Sequence, residues 1–303
     1  MTTRPRKPGL GRGSMLHFSQ DRCSNAARMT KLPASRRRLV KTDAGVLDVL
    51  DIGSGQTHAI ILITHGLGSL ESFQEVAEGL ETRFPGKRII AYSRPGRGRS
   101  EGPNRLEPAD YLSFEACLTI PAIMRALGLV SADFVAHSDG AAVAMLFACM
   151  TPWMVNRIVA IAPQVCADPQ YVASTAALRA AQNLPEALER LGATHLDPAL
   201  AVHYWTMARL ALCANPDYVL DRLQKLNAPL LLIQGLKDDL GAPQQMSAIS
   251  ARVPGQMNWV ILRQDGHYPQ HDSTDVVLDM ISGHLKQPVA NIRTERLLAH
   301  AAI

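Results

Sequence analysis

The pentapeptide Ala136-His137-Ser138-Asp139-Gly140 joins one apolar stretch to another. A serine held at a tight strand-to-helix turn presents its hydroxyl and faces a helix N-terminus, where negative charge is favoured. Such a turn requires small residues two before and two after the serine, because strand and helix pack closely there. Gly140 meets that need, and Ala136 stands where the G-x-S-x-G pattern has its first glycine. The chemistry available is nucleophilic attack by Ser138, with an oxyanion held at the helix terminus.

A serine hydroxyl needs a base, and the base needs a group to orient it. The apolar run Trp259–Leu262 leads into Gln264-Asp265-Gly266-His267, which supplies an imidazole. Leu230–Gln234 leads into Gly235-Leu236-Lys237-Asp238-Asp239, which supplies a carboxylate: Asp238 is the expected acid and Asp239 the alternative. Taken singly, Asp238 suits a turn and His267 suits a loop. Together with Ser138 they sit at three strand ends in the chain order Ser, Asp, His, and sites in open α/β sheets form at such ends. A second oxyanion donor is expected in His65-Gly66-Leu67-Gly68, after Ala59–Thr64, where the Leu67 N–H would join that of Asp139. That turn has neither the Lys-Ser/Thr of a P-loop nor dinucleotide spacing. The Asp139 side chain is expected to act as a favourable charge at the helix N-terminus. His137 is expected beneath the turn, His65 supporting the second loop, and His271 beside the base. His267 and His271 lack acidic or Cys partners at ligand spacing, and Pro269 disrupts their helical presentation, so no metal or other cofactor is expected.

Elements that could position these residues run through most of the chain. Strands are expected at 46–52, 59–64, 88–92, 133–136, 157–161, 230–234 and 259–262, with helices at 70–83, 108–127, 141–150, 243–251 and 274–285. Continuous apolar runs such as AIILIT and LLLI suit strands buried on both faces. The alternation predicts a doubly wound α/β domain with a mostly parallel sheet. Between Ile161 and Leu230 only helical segments occur, at 173–182, 186–191, 198–212 and 217–226, so a helical insertion covering one sheet edge is expected. Within it, Tyr204, Trp205, Met207 and Leu210 either line a pocket or belong to the core.

The 303 residues carry a net charge of +4, unevenly placed. Residues 1–41 hold 11 Lys/Arg and one acid, a net of +10, while the remainder carries −6. An acidic body gives no electrostatic reason to expect nucleic acid as a partner. The basic stretch has no apolar periodicity and is expected to be a disordered extension over 1–41, with 42–286 the folded domain and 287–303 a tail. The protein is expected to be cytoplasmic, with organelle targeting by the Arg-rich stretch the alternative; a start at Met15 or Met29 would instead leave that stretch untranslated. Five widely spaced cysteines without a CxxC pair argue for a reducing compartment. The longest apolar run, Ala141–Met150, is too short to span a bilayer.

Five stretches resemble the α/β-hydrolase superfamily, specifically its cap-bearing serine esterase branch. They are HGLGSLESF from His65, YSRPGRGRS from Tyr92, AHSDGAAVA from Ala136, QGLKDDLGAP from Gln234 and GHYPQHD from Gly266. The resemblance spans about residues 45–286 and implies Ser138 as nucleophile, His267 as base and Asp238 as acid. It also implies Leu67 and Asp139 at the oxyanion hole, and a cap over 163–226 inserted before the acid-bearing strand. The implied activity is cleavage of a small carboxylic ester by water. A lactonase, thioesterase or carbon–carbon bond hydrolase would use the same residues, and a non-catalytic small-ligand binder is the alternative of a different class. Serine at 138 argues against the aspartate-nucleophile dehalogenase and epoxide hydrolase chemistries.

Overall fold

The computed structural model describes residues 36–53, 55–103, 111–181, 185–241 and 243–287. Strands β1 (Arg37–Thr42), β2 (Gly45–Ile52), β3 (His58–Ile63), β4 (Arg88–Tyr92), β5 (Ser131–His137), β6 (Val155–Ile161), β7 (Leu230–Gly235) and β8 (Met257–Leu262) form one sheet in the order β1-β2-β4-β3-β5-β6-β7-β8. The six strands from β3 to β8 run parallel, and β1 and β2 are antiparallel additions at one edge. The five inner strands carry the continuous apolar runs, because helices cover both of their faces.

On one face, Ile60, Leu62, Val135 and Ile233 pack against α1 (Gln74–Arg83), through Val76 and Leu80, and against α10 (Thr274–Lys286), through Leu278 and Ile281. On the other, Ile61, Ile63, Phe134 and Leu232 pack against α3 (Ile120–Ala126), α4 (Asp139–Met150) and α9 (Pro243–Ser250). Every residue of α4 from Asp139 to Ala148 is buried, and from Ala141 on every one is apolar, so the helix behind the serine is fixed by packing on all sides. Four helices lie between β6 and β7: α5 (Pro169–Ala181), α6 (Pro185–Gly192), α7 (Pro198–Ala214) and α8 (Leu220–Leu223).

Three expectations change. Residues 37–41, expected to be disordered, belong to β1, which pairs with β2 along its whole length. In RRLVKT only Val40 is buried, so no apolar run announces the strand; ion pairs of Arg37 with Asp48 and Glu71, and of Arg38 with Asp51, fasten it instead. The rest of the basic extension, residues 1–35, and the tail at 288–303 lie outside the described residues. The insertion covers the carboxyl ends of the strands rather than one edge: Trp205 on α7 rests on Gly66, just beyond β3, and Tyr204 rests on Gly96 and Gly102, beyond β4. The helix expected at 108–127 begins at Tyr111 among the described residues and is interrupted by a π turn at Glu115–Thr119, between α2 (Tyr111–Phe114) and α3. Among the described residues no helix is long and apolar enough to cross a membrane.

Candidate active site

Ser138 stands between β5 and α4 with φ 58° and ψ −126°, a backbone conformation that costs an L-residue about 1–3 kcal/mol. The surroundings hold it there. Its N–H donates to Ile161 O at 2.9 Å, and its carbonyl accepts from Ala141 at 3.1 Å and Gln164 at 3.2 Å. Gly140 is required by close approach, since a Cβ there would lie 2.4 Å from Thr64 O. Ala136 replaces the pattern's first glycine without disturbance, because its methyl is buried among the apolar residues facing α4.

His267 follows β8, and its Nε2 lies 3.0 Å from Ser138 Oγ. Its Nδ1 donates to Asp238 Oδ2 at 2.8 Å, so the carboxylate selects the tautomer whose Nε2 is free to accept from the serine. Of the two adjacent acids, Asp238 is buried and faces the histidine, whereas Asp239 is exposed. Asp238 Oδ1 accepts from the N–H groups of Leu240 (2.8 Å) and Gly241 (2.9 Å), and Oδ2 also accepts from Gln234 Nε2 at 2.8 Å. Burial works against the Asp238 charge, but His267 and these donors outweigh it and hold the carboxyl below its ordinary range.

Two further histidines, His137 and His65, pack around this arrangement. His137 Nε2 donates to the His267 carbonyl at 2.7 Å, and its Nδ1 accepts from Gln270 at 3.3 Å. Acceptance at Nδ1 requires a neutral ring, in keeping with burial and the neighbouring His267, which push its pKa well below the usual histidine value. His65 packs edge-on against His137 and Tyr268, with ring centroids 5.2 and 5.3 Å away, and burial lowers its pKa to about 3. His271, four residues after the base, packs near Tyr268 and turns toward Glu75, 3.7 Å away.

The turn expected to hold an oxyanion has an unexpected ionic support. Asp139 opens α4, so its N–H has no partner within the helix. Leu67 lies in the turn closed by Gly68 N–H donating to His65 O at 2.8 Å. The Asp139 carboxylate does more than face the helix terminus, because it accepts from Arg94 Nη1 at 2.8 Å. Arg94 is wholly buried; it also meets Glu115 Oε2 at 2.7 Å and donates to Thr64 O at 3.1 Å. Burial opposes its charge, and Asp139 with Glu115 outweighs that cost.

Sequence reasoning missed Gln234, Arg94, Glu115 and a second buried arginine, Arg97. The signals were polar residues ending buried apolar runs, LLLIQ and RIIAYSR, and a charged pair inside a glycine-rich loop. Of the residues singled out in the helical insertion, Tyr204 stacks on Tyr111 with ring centroids 6.2 Å apart, Trp205 covers Gly66, and Met207 and Leu210 are half-buried. Among the described residues no group of three or more His, Cys, Asp or Glu side chains is placed to hold a metal ion.

The model of the α/β-hydrolase fold family matches residues 59–211. A probable esterase of Oryza sativa subsp. japonica is 21% identical over 268 residues, covering 79% of this chain and 95% of that protein. Among solved structures, a hydrolase from Pseudomonas aeruginosa superposes with a TM-score of 0.67 at 17% identity, covering 84% of this chain and all of the other. The 2-hydroxy-6-oxo-6-phenylhexa-2,4-dienoate hydrolase of a Rhodococcus species gives 0.66 at 16% identity, with 83% and 100% coverage.

Proposed function

The chain belongs to the α/β-hydrolase family, and from that premise we propose that it is a serine hydrolase that cleaves a small carboxylic ester through an acyl-enzyme. The observation that carries this is the relay from Ser138 Oγ through the His267 ring to Asp238, with steps of 3.0 and 2.8 Å, on a strained serine at a helix N-terminus. The resemblance to a probable esterase supports the choice of ester bond.

Neutral His267 takes the Ser138 proton at Nε2 as Oγ attacks the ester carbonyl, and Asp238 offsets the imidazolium charge. The N–H groups of Leu67 and Asp139 hold the oxyanion of the tetrahedral intermediate, each worth about 3 kcal/mol of barrier in comparable sites. Collapse expels the alcohol, which receives its proton from His267. Water then attacks the acyl-enzyme with His267 again as base, releasing the acid and restoring Ser138. Asp238 keeps its negative charge throughout.

A panel of p-nitrophenyl esters, lactones and thioesters, assayed with the wild type beside Ser138→Ala, tests this. Ester turnover lost in the variant is the expected result. Turnover confined to lactones or thioesters would move the activity to those bonds, and turnover of nothing would favour a binding protein.

A further inference from the structure

Arg97 has no exposed surface and, among the described residues, no carboxylate partner. Burying a cation without a counter-ion is costly, so its donors and its surroundings should show what it is for. Its guanidinium lies over the Tyr111 ring, 4.6 Å from the centroid, and beside Tyr204 at 5.7 Å. Two of its nitrogens donate to backbone carbonyls: Nη1 to Pro95 O at 2.7 Å, within its own loop, and Nε to Gly66 O at 2.9 Å. The second of these contacts joins the β4 loop to the turn after β3.

The Gly66 carbonyl and the Leu67 N–H are the two ends of one trans peptide, so they point in opposite directions. A cation donating to the oxygen fixes the plane of that peptide and draws electron density from its N–H, which becomes a stronger donor. We propose that Arg97 is a positioning residue of the oxyanion hole, orienting and polarising the Gly66–Leu67 peptide from the side opposite the reacting carbonyl. This rests on the serine hydrolase reading above, with Leu67 as a donor. Arg94 does the companion task two peptides earlier, at Thr64 O, and ties the same turn to Asp139. Trp205 closes the turn from the cap side, so the Gly66 peptide is gripped between two elements and has little freedom to rotate.

A group acting on the oxyanion donor contributes in the transition state and not in the ground-state complex. Arg97→Gln is therefore expected to lower kcat for a p-nitrophenyl ester about 10- to 100-fold while leaving KM within about twofold. Arg97→Lys, which keeps the charge but cannot reach both carbonyls, should fall between the two. Affinity for an alkylboronic acid, whose adduct with Ser138 is tetrahedral and anionic, should decline in proportion to kcat/KM across the three proteins. A merely structural role would not produce that proportionality. Circular dichroism and thermal melts check that the variants fold. The role is overturned by a folded Arg97→Gln with wild-type kcat, by boronate affinity that does not follow kcat/KM, or by failure of both variants to fold, which would make Arg97 a packing residue. Fluorophosphonate labelling separates this from the serine assignment. A wild type that neither turns over nor labels refutes both, whereas equal labelling rates at Ser138 in wild type and Arg97→Gln refute only the role of Arg97.

Discussion

Gly235 and Gly266 touch so closely that a Cβ on Gly235 would lie 2.1 Å from the Gly266 carbonyl oxygen. This contact fastens the loop carrying Asp238 to the loop carrying His267, and Lys237 N–H donating to Asp265 O at 2.9 Å continues it. The three nearest obstructing atoms, Gly266 O and the carbonyl O and C of Asp265, all belong to backbone, so no side chain can swing away. Gly235→Ala is expected to force the loops apart and lengthen the Asp238–His267 contact. The measurement is kcat/KM for a p-nitrophenyl ester, which should drop by about 100-fold, the scale of an ångström of misplacement. Wild-type activity in a folded variant would show that the spacing is not critical.

The two adjacent acids after β7 should behave oppositely. Asp238→Asn keeps the shape but lets the histidine take the wrong tautomer, and kcat is expected to fall about 10⁴-fold. Asp239 is exposed, and Asp239→Asn should leave kcat within about twofold. Steady-state kinetics on both variants decides, and equal losses would contradict the geometry.

Arg94 balances two buried carboxylates, Glu115 and Asp139. Arg94→Met would leave both without a cation, and breaking a buried pair this way costs about 3–5 kcal/mol. Chemical denaturation should register that loss, and the Arg94→Met/Glu115→Met double variant should recover part of it. An Arg94→Met protein as stable as wild type would show that the carboxylates find other partners or take up protons.

Acid should weaken the fold through buried neutral histidines. His137 is held neutral in the folded chain, with its pKa depressed well below 6.5, while in the unfolded chain it titrates normally. Below pH 6.5 the unfolded state binds the extra proton, so stability falls with pH by up to about 1.4 kcal/mol per unit for such a group. His65, with its folded value about 3, acts in the same direction between 6.5 and 3. Above that window neither contributes a slope. Denaturant midpoints from pH 8 to pH 5 should therefore be flat and then decline, and His137→Gln should shallow the decline. A pH-independent midpoint would contradict the neutral assignment.

The parts of the fold legible in the sequence were those buried on both faces. The runs in β3, β4 and β7 read as strands because every face they present is apolar. The first strand escaped notice because its stabilisation is ionic and only Val40 turns inward. Within the site, Ser138, Asp238 and His267 could be picked out because each follows an apolar strand, and strand ends converge. Arg94 and Arg97 could not, since a charged residue in a glycine-rich loop ordinarily faces water. The packing of Tyr111 and Tyr204 against that loop covers them instead. The position of α7 over the strand ends likewise depends on side-chain contacts that no periodicity encodes.

The proposed ester hydrolysis depends on Ser138 being a nucleophile. Mass spectrometry of the whole protein after a fluorophosphonate, followed by peptide mapping, examines that single atom. One adduct on the peptide bearing Ser138, absent from Ser138→Ala together with ester turnover, is the expected result. An adduct elsewhere, or a folded Ser138→Ala that still hydrolyses the ester, would contradict it.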